Sequence, residues 1–175
     1  MSNERLVDYL IPLVEDKKEV KVAEIGCGPI PKTGQYLKGV NVTIYSSDKQ
    51  DFTDTWIKYN IDPPPNVEYQ DMEKLSYPNE FFDIVHCVNA LDHTRHALAA
   101  VKEMIRICKT GGWVYIDCNL DQKDTGYKHF WNAKEDGTFT NNIDTFDLKD
   151  FGFTIKYVDN GGERRHNQII ATLKK

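Results

Sequence analysis

The regular pattern in this chain is a series of short apolar runs separated by more polar segments. Runs of about four to eight apolar residues bounded by turn residues are typical of buried strands. On this basis we predict strands over residues 20–25, 40–46, 67–70, 82–88, 113–118, 153–158 and 168–173. The intervening segments predict helices near residues 6–14, 32–39, 51–59 and 95–109.

The clearest helix prediction covers residues 95–109. The stripe that this helix would bury consists of Leu98, Val101, Ile105 and Cys108. Thr110-Gly111-Gly112 is expected to end it, since glycines often follow a helix end. Strands and helices alternate through the first two-thirds of the chain. This order predicts a doubly wound α/β fold with a mostly parallel sheet, helices on both faces and a ligand at the carboxyl ends of the strands.

Length and composition narrow the class of protein. The 175 residues correspond to a single domain over 1–175, in which residues 119–150 form a substrate-facing insertion. The formal net charge of −5 argues against nucleic acid as a partner. Neither a membrane span nor a signal peptide is evident, so we expect a cytoplasmic protein with no membrane partner. The four cysteines have no zinc or disulfide spacing, and no acid or histidine cluster has ligand spacing, so we expect no metal.

The first candidate for chemistry is the loop Gly26-Cys27-Gly28, which follows the first predicted strand. Glycines let the backbone approach a ligand closely because they carry no Cβ. Asp48 follows the second predicted strand, roughly 20 residues beyond the loop, where an acid commonly binds ribose hydroxyls. A dinucleotide loop would need glycine or alanine at Pro31, and Glu24 would repel a pyrophosphate. S-adenosylmethionine carries a sulfonium and an amino group instead, so the pattern favours it.

Further motifs follow the glycine loop in a fixed order. They are Glu24-x-Gly26-x-Gly28, Asp48, Asp71-Met72, Phe82-Asp83-Ile84-Val85 and Ile105-x-x-x-Lys109-Thr110-Gly111-Gly112-Trp113. Together, over residues 20–118, they resemble the class I S-adenosylmethionine-dependent methyltransferases. The resemblance implies a Rossmann-like, seven-stranded sheet in the order 3-2-1-4-5-7-6 with strand 7 antiparallel. It also implies S-adenosylmethionine as cofactor and S-adenosylhomocysteine as product.

The same resemblance implies roles for the residues that match the motifs. Those at the loop would bind the methionine part of the cofactor, namely Glu24, Gly26, Cys27 and Gly28. Asp48 would bind the ribose hydroxyls, Asp71 and Met72 the adenine, and Asn89 would complete the cofactor site. From the residues alone, Asp48 and Asp71 could instead cap the segments that follow them.

The segment after the fourth predicted strand holds Asp92 and His93, where the family places the transferred methyl group. Methyl transfer requires the enzyme to position the acceptor against the methyl group, and a hydroxyl acceptor also needs a base to remove its proton. We therefore expect His93, with Asp92, to take the acceptor's proton, since histidine can do so near neutral pH. The alternative is that both residues cap the helix over 95–109. His86 is expected in the core, and His96 on an exposed helix face.

The insertion is expected to determine substrate specificity, through contacts of Tyr127, His129 and Trp131 with the substrate. Aromatic rings with polar neighbours suit a sugar, which they can stack on and hydrogen-bond. The run His129-Phe130-Trp131-Asn132 also resembles a small methyltransferase subgroup linked to surface-glycan biosynthesis. The alternative is that these aromatic residues fill a small core beneath the loop.

The combined prediction is a methyltransferase that acts on a small molecule, at oxygen, with a sugar or glycan precursor as one candidate acceptor. One alternative is a non-catalytic S-adenosylmethionine-binding protein or a partner-dependent regulatory subunit, since an oligomer or partner chain could complete the site. A second alternative is a protein or RNA methyltransferase. Its basic residues would be Lys17, Lys18, Lys21, Arg164 and Arg165.

Overall fold

A computed structural model of the chain describes residues 19–31, 41–62, 67–120, 129–160 and 166–175. The strands in these residues are β1 Val20–Ile25, β2 Val42–Asp48, β3 Val67–Tyr69, β4 Phe82–Val88, β5 Cys108–Asn119, β6 Asn132–Ala133, β7 Thr138–Thr140, β8 Thr145–Asp147, β9 Thr154–Val158 and β10 Gln168–Lys174. The helices are α1 Thr53–Tyr59 and α2 Ala97–Ile107, with 3-10 turns at Leu91–His93 and Leu148–Phe151. The helices predicted near 6–14 and 32–39 lie outside the described residues. Neither α1 nor α2 has the length and apolar character needed to cross a membrane.

Seven of these strands form one sheet in the order β3-β2-β1-β4-β5-β10-β9. The first five run parallel to one another, while β10 is antiparallel to both β5 and β9. The mostly parallel sheet and its strand order are therefore confirmed, with β9 and β10 as the family's strands 6 and 7. The carboxyl ends of the five parallel strands meet at one edge, which is where such sheets bind ligands.

The apolar core lies on both faces of this sheet. On one face α2 packs against β4 and β5. The side chains that α2 buries are Ala97, Ala100, Val101, Met104 and Ile107. This corrects the predicted stripe, because Leu98 and Ile105 are only partly buried. The helix turns its alanines inward instead, and small side chains let its backbone approach the sheet closely. The smaller cluster on the other face comprises Val20, Val22, Ile84, Tyr115 and Ile170.

The junction between α2 and β5 differs from the prediction. The helix ends at Ile107, and the glycines expected to stop it lie inside β5. Phe82 pairs with Cys108 but Ile84 pairs with Trp113, so residues 109–112 bulge out of the ladder. A bulge needs extra residues on one strand and commonly uses glycine.

The predicted insertion contains a second, three-stranded antiparallel sheet in the order β6-β7-β8. Its apolar side chains join the main core, in which the rings of Phe139 and Phe146 stack with centroids 5.4 Å apart. Trp131 meets Phe146 edge-on at the same centroid distance. Strands of two or three residues are too short to produce an alternating pattern, and for this reason the sequence did not predict them.

The bulge generates a test of stability with a built-in control. A Cβ at Gly112 would lie 2.7 Å from the Asp83 carbonyl oxygen and 2.8 Å from Cys108 Sγ. We expect Gly112→Ala to lower the free energy of unfolding by about 2 kcal/mol, as overpacking does. Gly111 has a φ of +78° but open space around it, so Gly111→Ala should cost only about 1 kcal/mol of strain. Urea denaturation measures both; a Gly112→Ala loss no larger than that of Gly111→Ala would contradict the tight bulge.

Candidate active site

A cavity of about 980 Å³ opens at the carboxyl ends of the parallel strands. Its wall includes eight of the residues predicted for the site, namely Gly26, Gly28, Asp48, Asp71, Met72, Asn89, His93 and His129. Further wall residues, which were not among the predicted site residues, are Pro29, Lys49, Gln50, Phe52, Thr55, Glu73, Ala90, Thr94, Arg95 and Phe130. Most of these follow a predicted residue directly along the chain, so their places in the wall follow from the loops that carry the predicted ones.

The glycine loop leaves β1 in a conformation that glycine favours. The backbone N–H groups of Gly26 and Cys27 both donate to the Ser47 carbonyl, at 2.8 and 3.1 Å. Gly26 has a φ of +70°, and a Cβ there would lie 2.4 Å from the Ala90 Cβ. Gly28 has a φ of +67°, and a Cβ there would meet no atom within 4 Å. The loop therefore forms an open cradle, which fits the methionine part of S-adenosylmethionine.

Asp48 holds this loop in place from the end of β2. Its Oδ2 accepts a hydrogen bond from the Gly28 N–H at 2.9 Å, and its Oδ1 accepts one from the Gln50 N–H at 2.9 Å. Each carboxylate oxygen can accept a second bond. Asp48 thus combines the loop-capping role with a position in the cavity wall where a ribose diol could bind.

Asp71 and Met72 occupy the segment after β3. Asp71 accepts a hydrogen bond from Lys49 Nζ at 2.5 Å and one from the Glu73 N–H at 3.0 Å. Burial raises the pKa of Asp71, but these bonds and the charge of Lys49 outweigh it and leave the pKa lowered. The Met72 Cε lies 3.0 Å from where a Gly26 Cβ would be. Asp71 therefore caps its turn, as the alternative interpretation expected, and also lines the cavity.

Glu24, Cys27 and Trp131 do not line the cavity. Glu24 is buried and accepts a hydrogen bond from Ser46 Oγ at 2.8 Å. The Cys27 thiol has its pKa raised to about 12, first by burial and then by the charges of Asp48 and Glu24, so it is neutral. Trp131 is 4% exposed within the main core. This corrects the expectation that Trp131 contacts substrate and agrees with the alternative of a core beneath the loop; Tyr127 lies outside the described residues.

Asn89 connects the ends of β4 and β5. Its N–H donates to the Asp117 carbonyl at 2.8 Å, and its Oδ1 accepts from the Asn119 N–H at 3.0 Å. Its φ of +50° is one that asparagine tolerates better than most residues. After this turn the chain brings Ala90 and His93 into the cavity wall.

Asp92, His93 and His129 form a compact group, which we call the Asp–His–His cluster. Asp92 Oδ2 and His129 Nδ1 lie 2.6 Å apart, and the two side chains are 5% and 9% exposed. His93 is 37% exposed, with its Nε2 4.0 Å from Asp92 Oδ1. The rings of His93 and His129 have centroids 4.4 Å apart. The structure thus pairs Asp92 with His129 and leaves His93 as the imidazole on the cavity side.

Backbone hydrogen bonds fix the segment at residues 129–131 against the turn after β4. The N–H groups of Phe130 and Trp131 both donate to the Asp92 carbonyl, at 2.8 and 3.2 Å. Trp131 Nε1 donates to the Arg95 carbonyl at 3.2 Å. The segment after β5 is therefore part of the same wall as the segment after β4.

The helix-capping alternative for Asp92 and His93 is not what the structure shows. The start of α2 has no side-chain cap of its own. Instead Glu73 Oε1 accepts hydrogen bonds from the N–H groups of Arg95 and His96, at 2.8 and 3.0 Å. The pKa of Glu73 is raised by burial but lowered overall by the bonds from His96 and Arg95. The capping acid therefore comes from the segment after β3; of the two residues only His93 lines the cavity, while Asp92 is buried.

Comparison with known proteins gives a consistent assignment. The sequence model of a family described as a methyltransferase domain matches residues 23–116, which make up more than half of the chain. The sterol 24-C-methyltransferase erg-4 of Neurospora crassa is 25% identical over 174 residues, covering 89% of this chain and 45% of that protein. The C-methyltransferase UbiE of ubiquinone and menaquinone biosynthesis from Coxiella burnetii is 31% identical over 111 residues, covering 63% of this chain and 37% of that protein.

Among solved structures, the CurJ carbon methyltransferase superposes with a TM-score of 0.67 at 14% identity, covering 97% of this chain and 52% of that one. At this identity the likeness concerns the fold alone. The chain spans less than half the length of the two curated relatives described above.

The bonds of Asp48 lead to a test of the site. We expect Asp48→Asn to weaken binding of S-adenosylmethionine by about 10- to 100-fold, because it removes a charged acceptor that both orders the loop and faces the cavity. Asp51→Asn is the matched control, since Asp51 is an exposed capping acid bonded to Thr53 and is not part of the cavity wall. Calorimetric titration of both variants checks the prediction, and equal affinities for the two would remove Asp48 from the binding site.

Proposed function

The chain belongs to the methyltransferase domain family, and on that premise we propose that it transfers the methyl group of S-adenosylmethionine to a small-molecule acceptor and releases S-adenosylhomocysteine. The observation that carries the proposal is the cavity, which combines an open glycine cradle, the carboxylate of Asp48 and the imidazole of His93 in one wall. A ligand with a cationic centre suits this wall, because its three carboxylates (Asp48, Asp71 and Glu73) outnumber its two cations (Lys49 and Arg95).

The described residues divide into two groups along the wall. The glycine loop, Asp48 and Asp71 belong to the ends of β1, β2 and β3, and we assign them to the cofactor. The Asp–His–His cluster and Phe130 belong to the segments after β4 and β5, and we assign them to the acceptor. Asn89 lies between the groups, so the acceptor and the cofactor would meet beside it.

When bound, S-adenosylmethionine supplies a methyl group made electrophilic by its sulfonium. His93 is assigned to take the proton that the acceptor loses, because it is the more exposed of the two imidazoles in the cavity wall. Asp92 is assigned to hold the cluster together through its bond to His129, at 2.6 Å. The neighbouring ring of His129, tilted by 39° with its centroid 4.4 Å away, then restricts the orientation of His93. Fixing the base and acceptor in this way is how an enzyme accelerates a displacement.

We propose a hydroxyl group as the acceptor and a sugar or glycan precursor as one candidate. Phe130 is 38% exposed at the cavity and offers the stacking surface that the sequence had assigned to Trp131. Polar groups of Thr94, Arg95 and His129 also line this part of the wall. An aromatic plane beside hydrogen-bonding groups suits a ring that carries hydroxyls.

Carbon is a second candidate acceptor. It is favoured by the two curated relatives, whose names describe methylation of carbon in a sterol and in a quinone precursor. A carbon acceptor also loses a proton during or after transfer, so the Asp–His–His cluster would serve either reaction.

The test of the function uses the full chain and radiolabelled S-adenosylmethionine. We expect S-adenosylmethionine to bind, and S-adenosylhomocysteine to form when a matching acceptor is added from a panel of nucleotide sugars, phenols and hydroquinones. Label on a hydroxylated acceptor would support oxygen, and label on a ring carbon would support the second candidate. Binding without turnover across the panel would instead favour the non-catalytic or partner-dependent alternative. Absence of binding would contradict the proposal.

The role of His93 leads to a separate prediction. We expect His93→Ala to slow turnover by about 100-fold or more, the usual effect of losing a general base, while S-adenosylmethionine affinity stays unchanged. Added imidazole should restore part of the rate, because it can take the vacated place. His96→Ala is the control, since His96 is exposed and paired with Glu73 at 2.8 Å. A full rate in His93→Ala, or a slow rate that imidazole does not restore, would assign His93 a structural role.

A further inference from the structure

Positive and negative side chains are segregated along the cavity wall. The wall carboxylates lie at or after the ends of β2 and β3, on the side assigned to the cofactor, and are Asp48, Asp71 and Glu73. Among the described residues, the part of the wall that follows β4 and β5 holds no carboxylate and one permanent cation, Arg95. A cationic cofactor and an anionic acceptor would therefore each meet the opposite charge on their own side.

Arg95 combines a fixed backbone with an exposed, unengaged side chain. Its N–H donates to Glu73 Oε1 at 2.8 Å, and its carbonyl accepts a hydrogen bond from Trp131 Nε1 at 3.2 Å. In the part of the chain that the structure describes, its guanidinium makes no hydrogen bond or ion pair. The planar fork of guanidinium N–H donors is therefore available to a ligand, at a position that two backbone bonds hold in the wall.

The acids closest to Arg95 in the hydrogen-bond network are engaged by other groups. Glu73 Oε1 also accepts from the His96 N–H at 3.0 Å, and Glu73 Oε2 lies 2.8 Å from His96 Nδ1. Lys49, the second cation of the wall, forms its ion pair with Asp71 at 2.5 Å. Within the described ranges, Arg95 is thus the wall cation whose charge no carboxylate offsets.

A second polar group on the same side of the wall also lacks a partner. His129 Nδ1 lies 2.6 Å from Asp92 Oδ2, so its other nitrogen, Nε2, faces away from that carboxylate. Among the described residues Nε2 has no hydrogen-bond partner, and the His129 side chain is 9% exposed. When Nδ1 donates its proton to Asp92, Nε2 keeps a lone pair that can accept a hydrogen bond from a hydroxyl. A buried nitrogen of this kind costs stability unless a ligand or water satisfies it, so this side of the wall suits a polar ligand.

We propose that the methyl acceptor carries a phosphate or carboxylate group and that the Arg95 guanidinium binds it. The inference rests on the proposed methyl transfer and narrows its substrate class to hydroxylated small molecules with an oxyanion, such as sugar phosphates or sugar acids. A guanidinium binds such groups through two parallel hydrogen bonds, which fix orientation as well as affinity. His129 Nε2 would accept a hydrogen bond from a hydroxyl of the same molecule.

Arg95 acts in this proposal as a specificity-determining residue, because it holds a part of the acceptor that does not react. Binding energy from such a part can position the reacting hydroxyl beside His93, two residues earlier in the chain. The phosphate backbone of a nucleic acid suits the wall less well. It would need several cations in a row, whereas the chain has a net charge of −5.

The experiment titrates the full chain by calorimetry with glucose, glucose 6-phosphate and glucuronate, each with and without S-adenosylhomocysteine. We expect at least one of the two anionic sugars to bind about 10-fold or more tightly than glucose, the usual effect of a charged hydrogen bond. The larger of the two gains distinguishes phosphate from carboxylate. Arg95→Gln should abolish the preference, and Arg95→Lys should keep part of it, because it retains the charge but loses the fork.

Lys102→Gln is the matched control for these variants. Lys102 is an exposed cation on α2 that is not part of the cavity wall, so its replacement should leave the preference for the anionic sugars unchanged. Thermal unfolding checks that Arg95→Gln folds. Its Tm should equal that of the wild type, since the hydrogen bonds of Arg95 are made by its backbone.

Four results would overturn the role of Arg95. They are equal binding of glucose and both anionic sugars, an unchanged preference in Arg95→Gln, an equal loss in Lys102→Gln, and absence of binding for all three sugars. A parallel titration with S-adenosylmethionine separates this inference from the proposed function. S-adenosylmethionine binding without a preference for anionic sugars would overturn the role of Arg95 alone, and the reverse result would contradict only methyl transfer.

Discussion

The parallel pairing of β1 between β2 and β4 is the constraint on which the cavity depends. Ile25 is in register with Ser47 on one side and with Cys87 on the other, so the three strands leave the sheet at one level. The loops that follow must therefore pass close to each other. At Gly26 the approach to Ala90 leaves no room for a Cβ, which makes glycine a steric requirement of the register as well as a feature of ligand binding.

Much of this arrangement could be predicted because buried parallel strands have a strong local signal. The strands at 20–25 and 82–88 are mainly apolar runs, and their observed bounds match the predicted ones. The junction after α2 could not be predicted in the same way. Gly111 and Gly112 have the appearance of a helix stop, and only the ladder between β4 and β5 shows that they belong to a bulge. The meaning of a glycine there depends on a partner strand distant in sequence.

The residues of the candidate site also differ in whether the sequence could predict them. Asp48 and Asp71 were predictable because each follows a recognisable strand, and parallel strands bring their carboxyl ends together. The partner of Asp92 was not predictable, because its identity depends on how the segment after β5 returns to the segment after β4. Trp131 illustrates the ambiguity of single residues. Its ring lies in the main core against Phe146, while the neighbouring Phe130 lines the cavity. Alternation of this kind has no clear signal in a short, irregular segment.

The buried Asp92–His129 pair also bears on how the acceptor side of the cavity works. An apolar pair of similar size would cost less to bury than a carboxylate whose Oδ1 has no hydrogen-bond partner among the described residues. The backbone bonds from Phe130 and Trp131 hold the Asp92 carbonyl, so the wall would remain closed without the side-chain pair. The pair is therefore not needed to join the two segments. The Asp92–His129 pair adds lone pairs that are shielded from water and fixed beside His93. Such groups act most strongly on a proton or a cation, because the low local dielectric leaves their charge unscreened.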